Sequence, residues 1–203
     1  LARMGRVNQH TAFICHDPSC PVVPLNQLQA KLGHSFAHVE SFVYPRPPIP
    51  TYPAAANWAW QSTAQKMAMQ KSPWLWMESD AVALKPDWLS QLQAVYDAEG
   101  MAFMGPVVAQ LGHVNGGAIY PADAATRMPR AMSALSDAWD MLARDDMGSD
   151  RHDATPLMFH TWSVLGDQWL PVGGGEVPVN ITPALANTIP KASVYIHRIK
   201  SSA

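Results

Sequence analysis

The sequence predicts an α/β protein: a mostly parallel central sheet flanked by helices, folded as a single domain over residues 1–203. Three observations carry that expectation. Short apolar runs alternate with segments of helical spacing, the order that builds parallel sheets from strand-helix-strand units. One run, WLWM at Trp74 to Met77, is apolar on both faces, as a strand is when helices cover both sides of its sheet. A chain of 203 residues is near the size of one domain and buries about 70% of its unfolded surface without needing a disulfide or a structural metal.

The elements follow in order from local chemistry. Thr11 to Cys15, TAFIC, reads as a buried strand closed by the turn residues HDPS. A second strand lies within Ser35 to Val43. Tyr44 to Pro53, YPRPPIPTYP, is extended loop, because successive prolines lack the amide donors that a helix or central strand requires. Ala54 to Gln70 has no breaker and reads as a helix, with Trp60, Ala64 and Met67 on one face and Asn57, Gln61 and Gln65 on another. After WLWM comes a helix marked by Pro86 at its first position, Asp87 in its first turn, Trp88, Leu92 and Val95 inside, and Gly100 as its stop. Phe103 to Val108 and Gly117 to Tyr120 read as strands around a loop holding His113 and Asn115. Pro129 to Ala143 returns to helical spacing at Met132, Leu135, Trp139 and Leu142. Beyond it, residues 151–162 hold a short helix or strand, residues 171–190 are loop-rich around Gly173, Gly174 and Gly175, and Ser193 to Ile199 is extended.

Composition narrows the function. Charged residues make up 15% of the chain, against about 25% in average domains, and the net charge is -2. Affinity from a broad basic surface is therefore excluded, while a local groove for nucleic acid stays open. No run approaches the about 18 apolar residues of a membrane span, and LARMGRVNQHTAF lacks the layout of a signal peptide, so a soluble chain is expected, with the cytoplasm favoured. Cys15 and Cys20 are too few for a disulfide-stapled fold, and CHDPSC lacks the second pair of ligands a zinc site needs. Eight tryptophans beside so few charges predict aromatic surface in a groove or interface.

The chemistry concentrates after WLWM. Glu78 and Asp80, one residue apart at a strand end, suit a hard divalent ion such as Mn²⁺ or Mg²⁺, which takes few protein oxygens and shares its coordination with substrate phosphates. Solvated loop acids are the plain alternative. The order of an Asn-bearing helix (AAANWAWQSTAQKM), an aromatic strand with an acidic end (WLWMESDAVALKPDWL), FMGPV and HVNGGAIYP resembles the core of a GT-A fold, nucleotide-sugar-dependent glycosyltransferase. The likeness spans Tyr52 to Tyr120. It implies a GT-A-like, Rossmann-like fold whose acidic DxD motif, here ExD, binds the cation that bridges the donor diphosphate.

The resemblance distributes further roles. It divides the chain into a nucleotide-sugar-binding half, 1–110, and an acceptor-side half, 111–203, that ends in a metal and phosphate segment. In VYIHRIK it implies His197 as a third metal ligand and Lys200 as a contact to the diphosphate. His16 and Asp17 stand where the nucleotide pocket begins, against the reading of an ordinary turn. Asn57 borders the donor, against a helix-capping role, and Ser79 sits inside the acidic motif. Asn115, Gly116 and Gly117 match the turn beside the sugar, where missing side chains let backbone approach substrate; a simple hairpin would need the same residues. An inverting transfer requires a carboxylate near the acceptor hydroxyl, and in DDMGSDRHDATPLMFH the choices are Asp153 first and Asp150 second, with His152 and His160 as acceptor contacts.

The expected activity is a divalent-metal-dependent, hexosyltransferase-type transfer from a nucleotide diphospho-sugar, UDP-sugar first among them, to an acceptor hydroxyl. The acceptor is a glycan, a protein, a lipid head group, a small molecule or a modified nucleic-acid base. Two rivals stand beside it. A non-catalytic nucleotide- or carbohydrate-binding module keeps the fold without turnover. A metal-dependent phosphoesterase calls for clustered HxH or HD ligands, and only His16-Asp17 and His152-Asp153 supply that pattern.

Overall fold

The structure is a computed structural model that describes residues 7–108, 112–114, 117–136, 138–160, 163–165, 168–170 and 183–197. Strands β1 (Val7–His16) and β2 (Phe36–Val43) pair in parallel, from Thr11 opposite His38 to His16 opposite Val43. Parallel neighbours need a crossover. Helix α1 (Val22–Gly33) supplies it, in a stretch to which the sequence pattern assigned no element. Its Pro24 stands in the first turn, where backbone N–H groups have no partner inside the helix, so the missing donor costs little.

Past the proline loop, helix α2 (Ala54–Ala68) buries Trp60, Ala64 and Met67 as its spacing predicts. Gln61 departs from the expected polar face and is buried as well. Its amide nitrogen donates to the carbonyls of Ala131 and Ala134, both at 2.9 Å, and that satisfaction makes a buried amide tolerable. Strands β3 (Trp74–Leu75) and β4 (Val82–Ala83) follow, then helix α3 (Trp88–Glu99). Asp87 holds the N-cap position of α3, so Pro86 stands one residue ahead of the cap and not at the first helical position. Gly100 ends the helix in the left-handed region at φ 64°, where a side chain would be strained.

Pro106 cannot donate to a ladder, and the run from Phe103 to Val108 accordingly divides into β5 (Phe103–Gly105) and β6 (Val107–Val108). Strand β7 (His113–Val114) pairs antiparallel with β6 and leads to β8 (Ile119–Tyr120). The helix expected across Pro129 to Ala143 is not continuous. Helix α4 (Ala124–Arg127), a 3-10 turn at Ala131–Ser133 and helix α5 (Trp139–Met147) replace it. Side chains from elsewhere satisfy the backbone there: Gln61 takes two carbonyls, and the Asp146 carboxylate accepts from the amides of Arg130 and Ala131 at 2.9 Å. A helix is then not required to pair those groups. The remaining elements are β9 (Arg151–Asp153), β10 (Met158–His160), β11 (Ser163–Leu165), β12 (Gln168–Leu170), α6 (Pro183–Asn187) and β13 (Tyr195–His197).

The result is a mixed α/β domain with several small sheets, not one mostly parallel sheet. In the order β3-β8-β5-β9, β8 runs antiparallel to both β3 and β5, and β9 runs parallel to β5. The β6–β7 hairpin fills the connection from β5 to β8, so β8 returns without a crossover helix and must run antiparallel. Strands β3, β5 and β9 consequently point the same way, and their C-terminal ends share one edge with the start of β8. A second sheet, β10-β13-β4, pairs β13 parallel to β10 and antiparallel to β4.

Of the six tryptophans whose side chains are described, Trp60, Trp74, Trp88 and Trp139 are buried in the core and not on a surface groove. Trp60 meets Trp139 edge-on with centroids 4.9 Å apart, and Trp74 stacks on Tyr120 at 4.8 Å. Such pairs add about 0.5–1.5 kcal/mol each beyond the area they bury. This cluster takes residues from both sides of position 110, including Phe103 and Met147, and so joins the two halves. Among the described residues no helix is long and apolar enough to cross a membrane.

Gly105 is a point of close approach. A Cβ on it would lie 2.6 Å from both the Ala118 Cβ and the Val114 Cγ1, and 3.3 Å from the Ala118 Cα. Ala118 has no flexible end to move aside. Gly105→Ala is expected to destabilise the fold by about 1–3 kcal/mol through overpacking, read as a lower midpoint in urea unfolding; an unchanged midpoint would contradict the packing described.

Candidate metal centre

Three side chains converge where the two sheets meet. The backbone explains how. After β3 the chain turns at Glu78, whose carbonyl accepts the Ala81 amide at 3.1 Å, and enters β4. Because Ile196 lies opposite Val82 and Tyr195 opposite Ala83, the next step of the antiparallel register brings His197 opposite Ala81, beside Asp80. The His197 Nε2 stands 3.1 Å from Asp80 Oδ1 and 3.2 Å from Glu78 Oε2. One ligand atom from each of the three residues falls within 4.8 Å of the others.

Exposure is graded across the group. The His197 side chain is 1% exposed, Asp80 18% and Glu78 44%, so the imidazole forms the floor and the Glu78 side opens to solvent. The second nitrogen of His197 is occupied too: its Nδ1 lies 3.2 Å from the Nδ1 of His160, the residue paired with it across β10 and β13. Burial by itself would depress the His197 pKa. Hydrogen bonds to Asp80 and Glu78 and the negative charge of both outweigh that effect and carry it above the usual 6.5. Tyr195, two residues earlier and therefore on the same face of β13, has a fully buried hydroxyl without a hydrogen-bond partner among the described residues. Burial raises its pKa, with Glu78 and Asp80 adding to the effect.

The donor set suits a cation. Two carboxylates and one imidazole match the oxygen and nitrogen preferences of a divalent first-row ion. Adjacent ligands on an octahedral ion with bonds of about 2.1 Å lie about 3 Å apart, close to the separations from His197 to each acid.

The other expected residues are dispersed. Ser79 is exposed within the Glu78–Ala81 turn. Asp153 ends β9, on the edge that also carries the end of β3, and its Oδ1 accepts from the amides of Val107 and Thr155 and from the Thr155 hydroxyl. Asp150 precedes β9 and therefore lies toward the opposite edge. Its carboxylate accepts from the Ala102 amide at 2.9 Å and from Arg127 at 3.1 Å. His152 Nδ1 faces Glu99 at 3.4 Å. His16 and Asp17 form a turn: Asp17 Oδ1 accepts from the Ser19 amide at 2.6 Å and from the Ser19 hydroxyl, and the His16 ring reaches the Asp17 carbonyl. Asn57 does not cap its own helix; its side-chain amide donates to the Ser136 carbonyl at 3.0 Å. Gly117 is buried beside Ala118, whose carbonyl accepts the Trp76 amide. Asn115, Gly116 and Lys200 lie outside the described residues. Cys15 and Cys20 are free thiols.

The structure places His160 behind His197, with the two Nδ1 atoms 3.2 Å apart. Tyr195 had no expected role, although the spacing YIH already puts it and His197 on one face of a strand. Comparison with family models, with curated proteins and with solved structures finds no match to this chain.

The raised His197 pKa has a definite sign in metal-free protein. The stabilisation it gives is complete below pH 6.5 and is lost as pH rises through the higher folded-state value. Unfolding measured in urea across about pH 5 to 9 is expected to show that decline, and His197→Gln is expected to flatten it. A slope that survives the substitution would assign the titration to another group.

Proposed function

We propose that the chain is a divalent-metal-dependent glycosyltransferase of the GT-A kind, moving a sugar from a nucleotide diphospho-sugar to an acceptor hydroxyl. The single observation that carries the reading is the meeting of Glu78 and Asp80 with His197, which lies 119 residues from Glu78 in sequence. An isolated ExD motif is common; an ExD motif closed by a late histidine at a strand end is much less so. The shared edge at the ends of β3, β5 and β9 supports the same reading, since ligands of α/β sheets gather at such ends.

Within this reading each residue has a defined task. Asp80 and Glu78, in the loop after β3, and His197 of β13 would hold the ion. With a mixed oxygen and nitrogen donor set, Mn²⁺ is favoured over Mg²⁺. When bound, the ion neutralises the donor diphosphate and stabilises it as a leaving group. The partial exposure of Glu78 leaves the outer side of the site open to that diphosphate. For an inverting transfer, Asp153 is the carboxylate that takes the acceptor proton, through Oδ2, because Oδ1 is engaged by the β9 turn. Hexosyl transfer from a UDP-sugar is the first activity to assay.

A phosphoesterase is disfavoured by particular contacts. His152 faces Glu99 and His16 faces a backbone carbonyl, so neither His-Asp pair contributes to a metal cluster with the triad. The binding-module alternative is separated by turnover. The expected result is a rise in melting temperature with Mn²⁺ and a further rise with UDP-sugar present. Asp80→Ala is expected to abolish both while the circular dichroism stays native. Donor binding without sugar release or transfer would favour the module, and no response to Mn²⁺ or any nucleotide sugar would remove the proposal. Asp153→Asn is expected to keep Mn²⁺ and donor binding while lowering the transfer rate by about 10²-fold or more.

A further inference from the structure

We propose that His160 is the positioning residue of this centre: its Nδ1 accepts the Nδ1–H of His197, which leaves the His197 Nε2 lone pair directed at the ion held by Glu78 and Asp80. The proposal rests on the reading of the triad as a metal centre. It follows from the geometry of one buried ring. Nε2 is the nitrogen that faces both carboxylates, at 3.1 and 3.2 Å, so an ion between them meets Nε2. A neutral imidazole carries one proton, and coordination through Nε2 obliges that proton to sit on Nδ1. The ring is 1% exposed, so water is not at hand, and a buried N–H without an acceptor is destabilising.

The acceptor is built into the sheet. His160 and His197 are register partners in the parallel β10–β13 pair, which fixes their Cα atoms through backbone hydrogen bonds. Their rings lie with centroids 5.0 Å apart at 57°, and the two Nδ1 atoms are 3.2 Å apart. At that distance one nitrogen donates and the other accepts. For His197 to donate, His160 must carry its own proton on Nε2 and present the Nδ1 lone pair. Both rings then stay neutral. The reverse arrangement, with His160 donating, leaves the His197 proton on Nε2 and occupies the position the ion requires. His160 therefore acts on affinity through the tautomer of its neighbour and makes no contact with the ion itself.

Mn²⁺ affinity, measured from the electron paramagnetic resonance signal of the free ion, tests this on the full chain. His160→Phe removes the acceptor and is expected to weaken Mn²⁺ binding about 10- to 100-fold, the range for partners of metal-bound histidines. His160→Gln offers an amide oxygen and is expected to restore affinity close to that of the wild type. His160→Lys offers only donors and is expected to weaken binding at least as far as His160→Phe. A structural role alone would not separate Gln from Lys, and these polar variants carry the test if the Phe variant fails to fold. In the Mg²⁺-loaded wild type, two-bond ¹H–¹⁵N spectra are expected to show His197 protonated at Nδ1 and His160 at Nε2. Folded His160→Lys with wild-type affinity, or His160 protonated at Nδ1 in the loaded protein, would overturn the proposal while leaving the metal centre standing. Wild-type protein that binds neither ion would remove the centre and the proposal together.

Discussion

The antiparallel pairing of β13 with β4 fixes an imidazole beside two carboxylates that precede it by more than a hundred residues. Strand order alone achieves this. Strand β4 begins directly after the Glu78 turn, and β13 ends where β4 begins, so the register that pairs Ile196 with Val82 also delivers His197 to Asp80. On the other flank, β10 pairs in parallel and brings His160 behind the same ring. Three strands of two or three residues each thus hold two sets of contacts, one on each nitrogen of His197.

So small a sheet does not stand by itself. Tyr195 stacks on Trp88 of α3, and Leu92, Met104, Ile119 and Met158 close around them. Met104 and Ile119 belong to the four-stranded sheet, so the strand ends that frame the site are tied to one apolar cluster. Truncating a buried residue such as Trp88 would cost about 3–5 kcal/mol and would loosen the Glu78, Asp80 and His197 group along with the fold. The position of the ligands is in this sense a packing result. Electrostatics alone favours separation of the two acids, and the neighbouring imidazole offsets it.

Much of this was legible in the residues, and the exceptions have physical causes. Helices α2 and α3 carry unambiguous stripes, and Gly100 terminates α3 as its type predicts. Glu78 and Asp80 were marked by their place after an apolar strand, and His197 by the family resemblance alone. Sheet direction was not legible: WLWM is apolar whether its neighbours run parallel or antiparallel, and only the β6–β7 hairpin decides it. The broken helix near Ala131 was hidden for a similar reason, since it depends on Gln61, seventy residues earlier in the chain, competing for its carbonyls. Asp150 and Asp153 look alike in sequence; the direction of β9 sends one to each edge. His160 carried no local mark of its pairing with His197, because parallel register is a long-range property.

The lateness of β13 bears on how the protein is made. A ribosome releases Glu78 and Asp80 well before residues 195–197 exist, and the cluster around Trp60, Trp74 and Trp139 has its partners earlier. During that interval the two acids have no imidazole beside them and the apolar edge of β4 has no strand to pair with. Nascent chains stalled upstream of Tyr195 would therefore present an open β-edge, the kind of surface to which chaperones and like strands adhere. The three-residue group that could take a cation is assembled only once residues 195–197 have been made.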